Sequence, residues 1–212
     1  MSAPTADHPA HAATDQLEEH LAAAAALRTV LPDLRAVGER LIEVYARGGR
    51  LYTFGNGGSA ADAQHLAGEL IGRYLRERRP LPAVSLVTDP TVVSCIGNDY
   101  SYEEVFARQV QALAVPDDMV IGFTTSGRSA NVVRGLAQAR AAGAVTVLFA
   151  GGTAGGMPAA RHADLRVVVP ATATARIQEM HLTLLHLLSE QVDAWAAQTP
   201  SHPLRARQET AE

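Results

Sequence analysis

The 212-residue chain has no lysine, and all 18 of its basic residues are arginine. That excludes a Schiff-base lysine, and with it a pyridoxal phosphate anchor of the usual kind and a Walker-type phosphate loop, because each needs the amine. Any phosphate would have to be held by amides, hydroxyls or arginine. A single cysteine, Cys95, excludes an internal disulfide and a cysteine metal cluster, and its apolar neighbours predict a buried thiol. No apolar run approaches the ~20 residues that span a bilayer. Residues 1–14 lack both the basic start and the apolar run of a signal peptide. A cytoplasmic protein without membrane contact is expected. A net charge of −4 and a pI near 6.1 leave no electrostatic footprint for nucleic acid.

Hydrophobic residues make up 47% of the chain, enough for one α/β domain with a sizeable core but cramped for a second. Residues 1–14, rich in Pro, Ala and His, read as a disordered tail in which His8 and His11 are tail residues rather than ligands. Asp15–Leu31 and Pro32–Arg47 have helical patterns, the second ended by Gly48-Gly49. Strand-like runs recur near 51–55, 83–87, 119–123, 145–149 and 165–169, mostly with helical patterns between them. That alternation predicts a three-layer, doubly wound α/β fold with a five-stranded parallel sheet preceded by N-terminal helices. A last helix near 175–197 bears an apolar stripe together with Gln178, His181 and His186, and a polar tail follows over 198–212.

The run Gly55-Asn56-Gly57-Gly58-Ser59 closes the first strand, and its backbone N–H groups can face an anion at a helix start. His65 and Glu69 follow four residues apart, on one face of that helix and directed toward the same region. Alone, the turn is equally an ordinary strand-to-helix connection. A second turn, Thr124-Thr125-Ser126-Gly127-Arg128-Ser129-Ala130-Asn131, repeats the arrangement after the third strand. In a doubly wound sheet two such turns on neighbouring strands converge on one crevice, suited to a phosphate ester. Hydroxyls at helix starts are also what simple N-capping predicts. Arg73, Arg76, Arg78 and Arg79 read as a solvated helix end, and the Gly151–Pro158 loop as a connection. A histidine on an apolar helix is ordinarily a core residue with one satisfied hydrogen bond.

In order, GNGGSAADAQHLAGEL, SCIGNDY, TTSGRSANV and RIQEMHLTLLH resemble the phosphoheptose isomerases of the sugar isomerase (SIS) domain family, over residues 15–197. The resemblance implies a SIS-type, flavodoxin-like fold. It also implies conversion of D-sedoheptulose 7-phosphate to D-glycero-D-manno-heptose 7-phosphate through a metal-stabilised enediolate, an early step toward nucleotide-activated heptose. One zinc ion per site and a cytoplasmic homotetramer with intersubunit active sites are implied as well. Residue by residue, it places substrate at Asn56, Gly57, Gly58, Ser59, Glu69, Asn98, Asp99, Thr124, Thr125, Ser126, Ser129 and Gln178. It places zinc on His65, Glu69, Gln178 and His186, with Glu69 and His186 as the acid/base pair.

Two positions depart from the family pattern: Ala175 stands where an aspartate precedes the RIQE segment, and Arg128 stands where asparagine is frequent. Gln178 and His186 are separated by about 12 Å of helical rise and some 80° of rotation. Either Gln178 lies in an irregular first turn or one of the two comes from a neighbouring subunit. The competing reading is a non-catalytic sugar-phosphate-binding module of the same fold, a sensor or a replication-initiator-associating adaptor. Such a protein would keep the turns without needing His65, Glu69, Gln178 and His186 together.

Overall fold

The computed structural model describes residues 9–152 and 156–198. The expected C-terminal tail from residue 199 and most of the N-terminal one, with His8, lie outside these residues, as does the His11 side chain. Helices α1 (Pro9–Ala26) and α2 (Leu31–Ala46) come first, joined by a 3₁₀ turn over Leu27–Val30. α1 therefore starts at Pro9 rather than Asp15. It stops before Leu31 because Pro32 supplies no N–H and sits in the first turn of α2.

Five parallel strands follow: β1 (Leu51–Gly55), β2 (Ala83–Ser85), β3 (Met119–Phe123), β4 (Val145–Gly151) and β5 (Leu165–Val169). Their spatial order is β2-β1-β3-β4-β5, the expected doubly wound sheet. Between the strands lie α3 (Gly58–Ile71), α4 (Pro90–Asp99), α5 (Ala107–Leu113) and α6 (Ala130–Ala141). α7 (Thr174–Gln198) closes the fold as one continuous helix.

Strand side chains alternate between two cores. Leu51, Met119, Ile121, Phe123, Val147 and Phe149 pack beneath α2, α3 and α7, whereas Tyr52, Phe54, Val120 and Leu148 pack with Phe106, Val132 and Leu136 on the opposite face. The period-2 pattern thus fills both faces of the sheet, as a parallel sheet covered by helices on each side requires. β1 and β3 pair directly, so the two turns that follow them lie side by side at the point where strand order reverses.

Two readings of the sequence are corrected. Cys95 is exposed, not buried: on α4 it is Ile96 that turns into the core, and Cys95 shares the outer face with Asp99 one turn on, Sγ to Oδ2 3.5 Å. Half of the arginine cluster is not a solvated helix end either: Arg78 and Arg79 are drawn in, while Arg73 and Arg76 stay exposed. Arg78 is buried against Asp193, Arg76 pairs with Glu190 at 2.7 Å, and Arg79 lies 5.3 Å over the Trp195 ring. Arg73 is more than half exposed and does fit the solvated description. Tertiary packing of α7 on α3 draws Arg78 and Arg79 in, which no local pattern announces, while Arg76 stays exposed beside Glu190.

Candidate functional site

The first turn opens α3 with Gly57 at φ +56 as the N-cap residue, a backbone conformation that glycine adopts without strain. In the second turn Gly127 has φ +66, the buried Thr124 hydroxyl accepts from Gly127 N–H, and Ser126 Oγ accepts from Arg128 N–H. Ser129 occupies the N-cap position of α6 yet makes no capping hydrogen bond, and α3 has no hydroxyl at its cap at all. Helix N-capping therefore does not account for Ser129, while the Thr124 and Ser126 hydroxyls satisfy N–H groups of their own turn. The turns are tied together by a reciprocal amide pair, Asn56 Nδ2 to Asn131 Oδ1 and Asn131 Nδ2 to Asn56 Oδ1, both 2.8 Å, with Tyr102 Oη donating to Asn56 Oδ1 at 3.1 Å. The sequence places Asn131 at the end of the second turn without its pairing to Asn56 and assigns no role to Tyr102, because nothing in a local pattern marks a partner 75 or 46 positions away.

Two cavities flank the turns. One of about 520 Å³ is lined by Thr125, Ser126, Arg128, Gly151, Gly152, Thr172 and Thr174 among others. So Arg128 of the second turn and part of the Gly151–Pro158 loop, which the sequence presents only as a connection, line the same cavity. The other, about 530 Å³, lies between the first turn and α4, touching Asn56, Gly57, Ser94, Gly97 and Tyr102. Asn98 and Asp99, just beyond Gly97, are exposed and bond each other at 2.8 Å.

His65, Glu69 and His186 meet in space. His65 Nε2 is 3.0 Å from Glu69 Oε1 and 3.2 Å from His186 Nε2, and one ligand atom from each residue lies within 4.8 Å of the others. With Zn–N and Zn–O bonds near 2.0–2.1 Å, a tetrahedral edge is about 3.3 Å, close to both His65 separations, so the two imidazoles and the carboxylate are a donor set suited to zinc. Tyr74, which no sequence pattern marks, stacks on His186 with ring centroids 5.6 Å apart.

Gln178 is not with them. Its carboxamide lies over Gly58, where an added Cβ would fall 2.5 Å from Oε1, at the opposite end of α3 from Glu69. α7 is regular from Thr174, so an irregular first turn does not bring Gln178 to the trio. The two turns and the trio are likewise apart: Gly58 and Glu69 are separated by about 16 Å of helical rise. The expectation that His65 and Glu69 face the same region as the turn is overruled by the length of the helix between them.

His181 is the ordinary core histidine. It is fully buried, and Nε2 donates to Ala150 O at 3.2 Å. Its Nδ1 and Asp62 Oδ2 lie 4.0 Å apart, and neither atom has a hydrogen-bond partner among the described residues. Burial pushes the Asp62 carboxyl up to about 6, against the pull of His65, and lowers His181 to about 4, against the bond to Ala150.

The chain is similar to known proteins over most of its length. The SIS domain model matches residues 14–151. A phosphoheptose isomerase of Roseiflexus sp. is 50% identical over 79% of this chain and 84% of its own, and that of Aquifex aeolicus is 52% identical over 69% and 75%. The structure of a phosphoheptose isomerase from Neisseria gonorrhoeae superposes with TM-score 0.82 at 33% identity, over 88% of this chain and all of that one. One from Francisella tularensis gives 0.84 at 28%, over 89% and 100%. With its doubly wound sheet, paired turns and this degree of identity, the chain belongs to the SIS domain family, among its phosphoheptose isomerases.

Proposed function

We propose that this chain is the aldose–ketose isomerase that converts D-sedoheptulose 7-phosphate to D-glycero-D-manno-heptose 7-phosphate, using zinc. The observation behind the metal is the convergence of His65, Glu69 and His186 at 3.0–3.2 Å. These residues would hold the ion, which when bound supplies a Lewis acid that stabilises negative charge on the sugar oxygens.

The chain's own groups do the rest. The hydroxyls and amides of the Thr124–Ser129 turn and the amides opening α3 bind the phosphate and place the sugar. Glu69, with Oε1 against His65, uses its second oxygen to take the proton from C1, whose electron pair moves toward the C2 carbonyl to give the enediolate. The proton returns at C2 while His186 carries a proton from O1 to O2, leaving the aldehyde at C1. Tyr74 keeps the imidazole plane in place by stacking.

A seven-carbon phosphate ester spans about 10 Å from C1 to phosphorus at ordinary bond lengths, less than the ~16 Å between the α3 start and Glu69. This favours an active site that joins the phosphate turns and Gln178 of one protomer to the trio of another. Exposed Leu17, Leu21, Ile71, Leu75, Leu182 and Leu187 on and beside α1, α3 and α7 offer apolar surface for a homotetramer. Among the described residues no helix is long and apolar enough to cross a membrane. A charged sugar phosphate does not cross one unaided, which favours a cytoplasmic enzyme.

The deciding experiment is turnover of sedoheptulose 7-phosphate by metal-stripped and zinc-reconstituted protein. Zinc-dependent aldoheptose phosphate formation supports the reading. Tight sugar-phosphate binding without turnover would replace it with a sensor or adaptor.

A further inference from the structure

Arg78 lies in the irregular segment after α3, yet its side chain is 1% exposed and its Asp193 partner on α7 is fully buried. Nε donates to Asp193 Oδ1 at 2.9 Å. Nη1 donates to Leu70 O at 2.8 Å and to Gly72 O at 3.2 Å, and Nη2 donates to Glu69 O at 2.7 Å. Asp193 Oδ2 in turn accepts from the backbone N–H of Arg76 at 2.7 Å and of Leu75 at 3.3 Å. Burial alone would raise the Asp193 carboxyl, but these bonds outweigh it and hold it below its ordinary value.

Two of the carbonyls that Arg78 binds, Glu69 O and Leu70 O, are among those the end of α3 leaves without intrahelical partners, and Leu70 O also accepts from Leu81 N–H at 3.0 Å. Glu69 is two residues from the last residue of that helix, Ile71, where an uncapped helix frays. On the other side, Asp193 follows His186 by seven residues, two turns along the same face of α7. The guanidinium therefore joins the last turn of the helix that bears Glu69 to the helix that bears His186. We propose that Arg78 is a positioning residue for Glu69: it fixes the end of α3 against α7 so that the Glu69 carboxylate stays in reach of His65 and His186. This rests on the metal and acid/base roles proposed above.

The test is Arg78→Met in the full-length protein, alone and combined with Glu69→Gln. Zinc affinity is read by competition with a chromogenic chelator, alongside kcat, KM and the thermal midpoint. Partners that orient metal ligands typically account for about 10–100-fold in affinity, so a folded R78M should bind zinc at least about tenfold more weakly. Its kcat should fall by a similar factor with KM within about twofold, because the phosphate turns are untouched. In the E69Q background the same change should cost little further zinc affinity, since the ligand it positions is gone. Equal losses in both backgrounds, or parental zinc affinity and kcat in R78M, would overturn the proposal. If R78M does not fold, Arg78→Lys, which can reach Asp193 but cannot span the carbonyls, is read by the same criteria; failure of both to fold assigns the pair to folding alone and also overturns it. An E69Q protein with parental zinc affinity and turnover would sink the role of Glu69 itself, an outcome separate from failure of the arginine.

Discussion

Gln178 and Gly58 touch across the α3–α7 contact: a Cβ on Gly58 would meet the Gln178 carboxamide at 2.5–2.6 Å. Glycine here makes room for a polar side chain at the mouth of the first turn. Gly58 is within α3 and has no positive φ, so Gly58→Ala should keep or slightly raise the thermal midpoint, alanine being the better helix former. The far end of Gln178 must move, and kcat should fall. Parental kcat with an unchanged midpoint would show that Gln178 has no part in turnover.

Removing either imidazole of the trio leaves two ligands. His186→Ala and His65→Ala should each lose stoichiometric zinc after dialysis, measured by elemental analysis, and lose at least about a hundredfold in kcat. Zinc retained at one per chain in both would place the metal elsewhere.

Gly127 combines φ +66 with a close neighbour: a Cβ added there would stand 2.8 Å from Met157 side-chain atoms. Gly127→Ala should destabilise the protein by about 1–3 kcal/mol in urea denaturation and raise KM by distorting the second turn. An unchanged KM would separate this turn from phosphate binding.

A site shared between protomers predicts complementation. Glu69→Gln protein and a Thr125→Ala, Ser126→Ala protein, each nearly inactive alone, should regain turnover after unfolding and refolding together. If the mixed sample stays as inactive as its parts, each active site lies within one chain.

The buried Asp62–His181 pair gives opposing pH dependences. Asp62, raised to about 6, stabilises the fold progressively as pH falls from 6 toward its unfolded value near 4; His181, lowered to about 4, costs stability as pH falls from 6.5 to 4. Asp62→Asn removes the first and leaves the second. The variant should therefore lose more stability than the parent between pH 6.5 and 4 in urea midpoints, and parallel curves would contradict the pairing.

Much of the site is visible along the chain because its determinants are local. Gly57 and Gly127 mark left-handed turns after apolar strands, and His65 and Glu69 share a helix face through their spacing alone. Cys95 shows where local reasoning stops: nearby hydrophobic residues such as Val92, Val93 and Ile96 are not all neighbours on one helix face, and Ile96 takes the inward position.

By itself the sequence determined five parallel strands, two glycine- and hydroxyl-bearing strand-to-helix turns and a histidine–glutamate pair, since each follows from periodicity, glycine placement or spacing within a few residues. Only the tertiary structure decided that α7 lies against α3 in the register that sets His186 beside His65, Gln178 beside Gly58 and Asp193 around Arg78. That register is a long-range packing solution, in which apolar stripes on two helices and a buried ion pair must be satisfied together, and no local pattern encodes it.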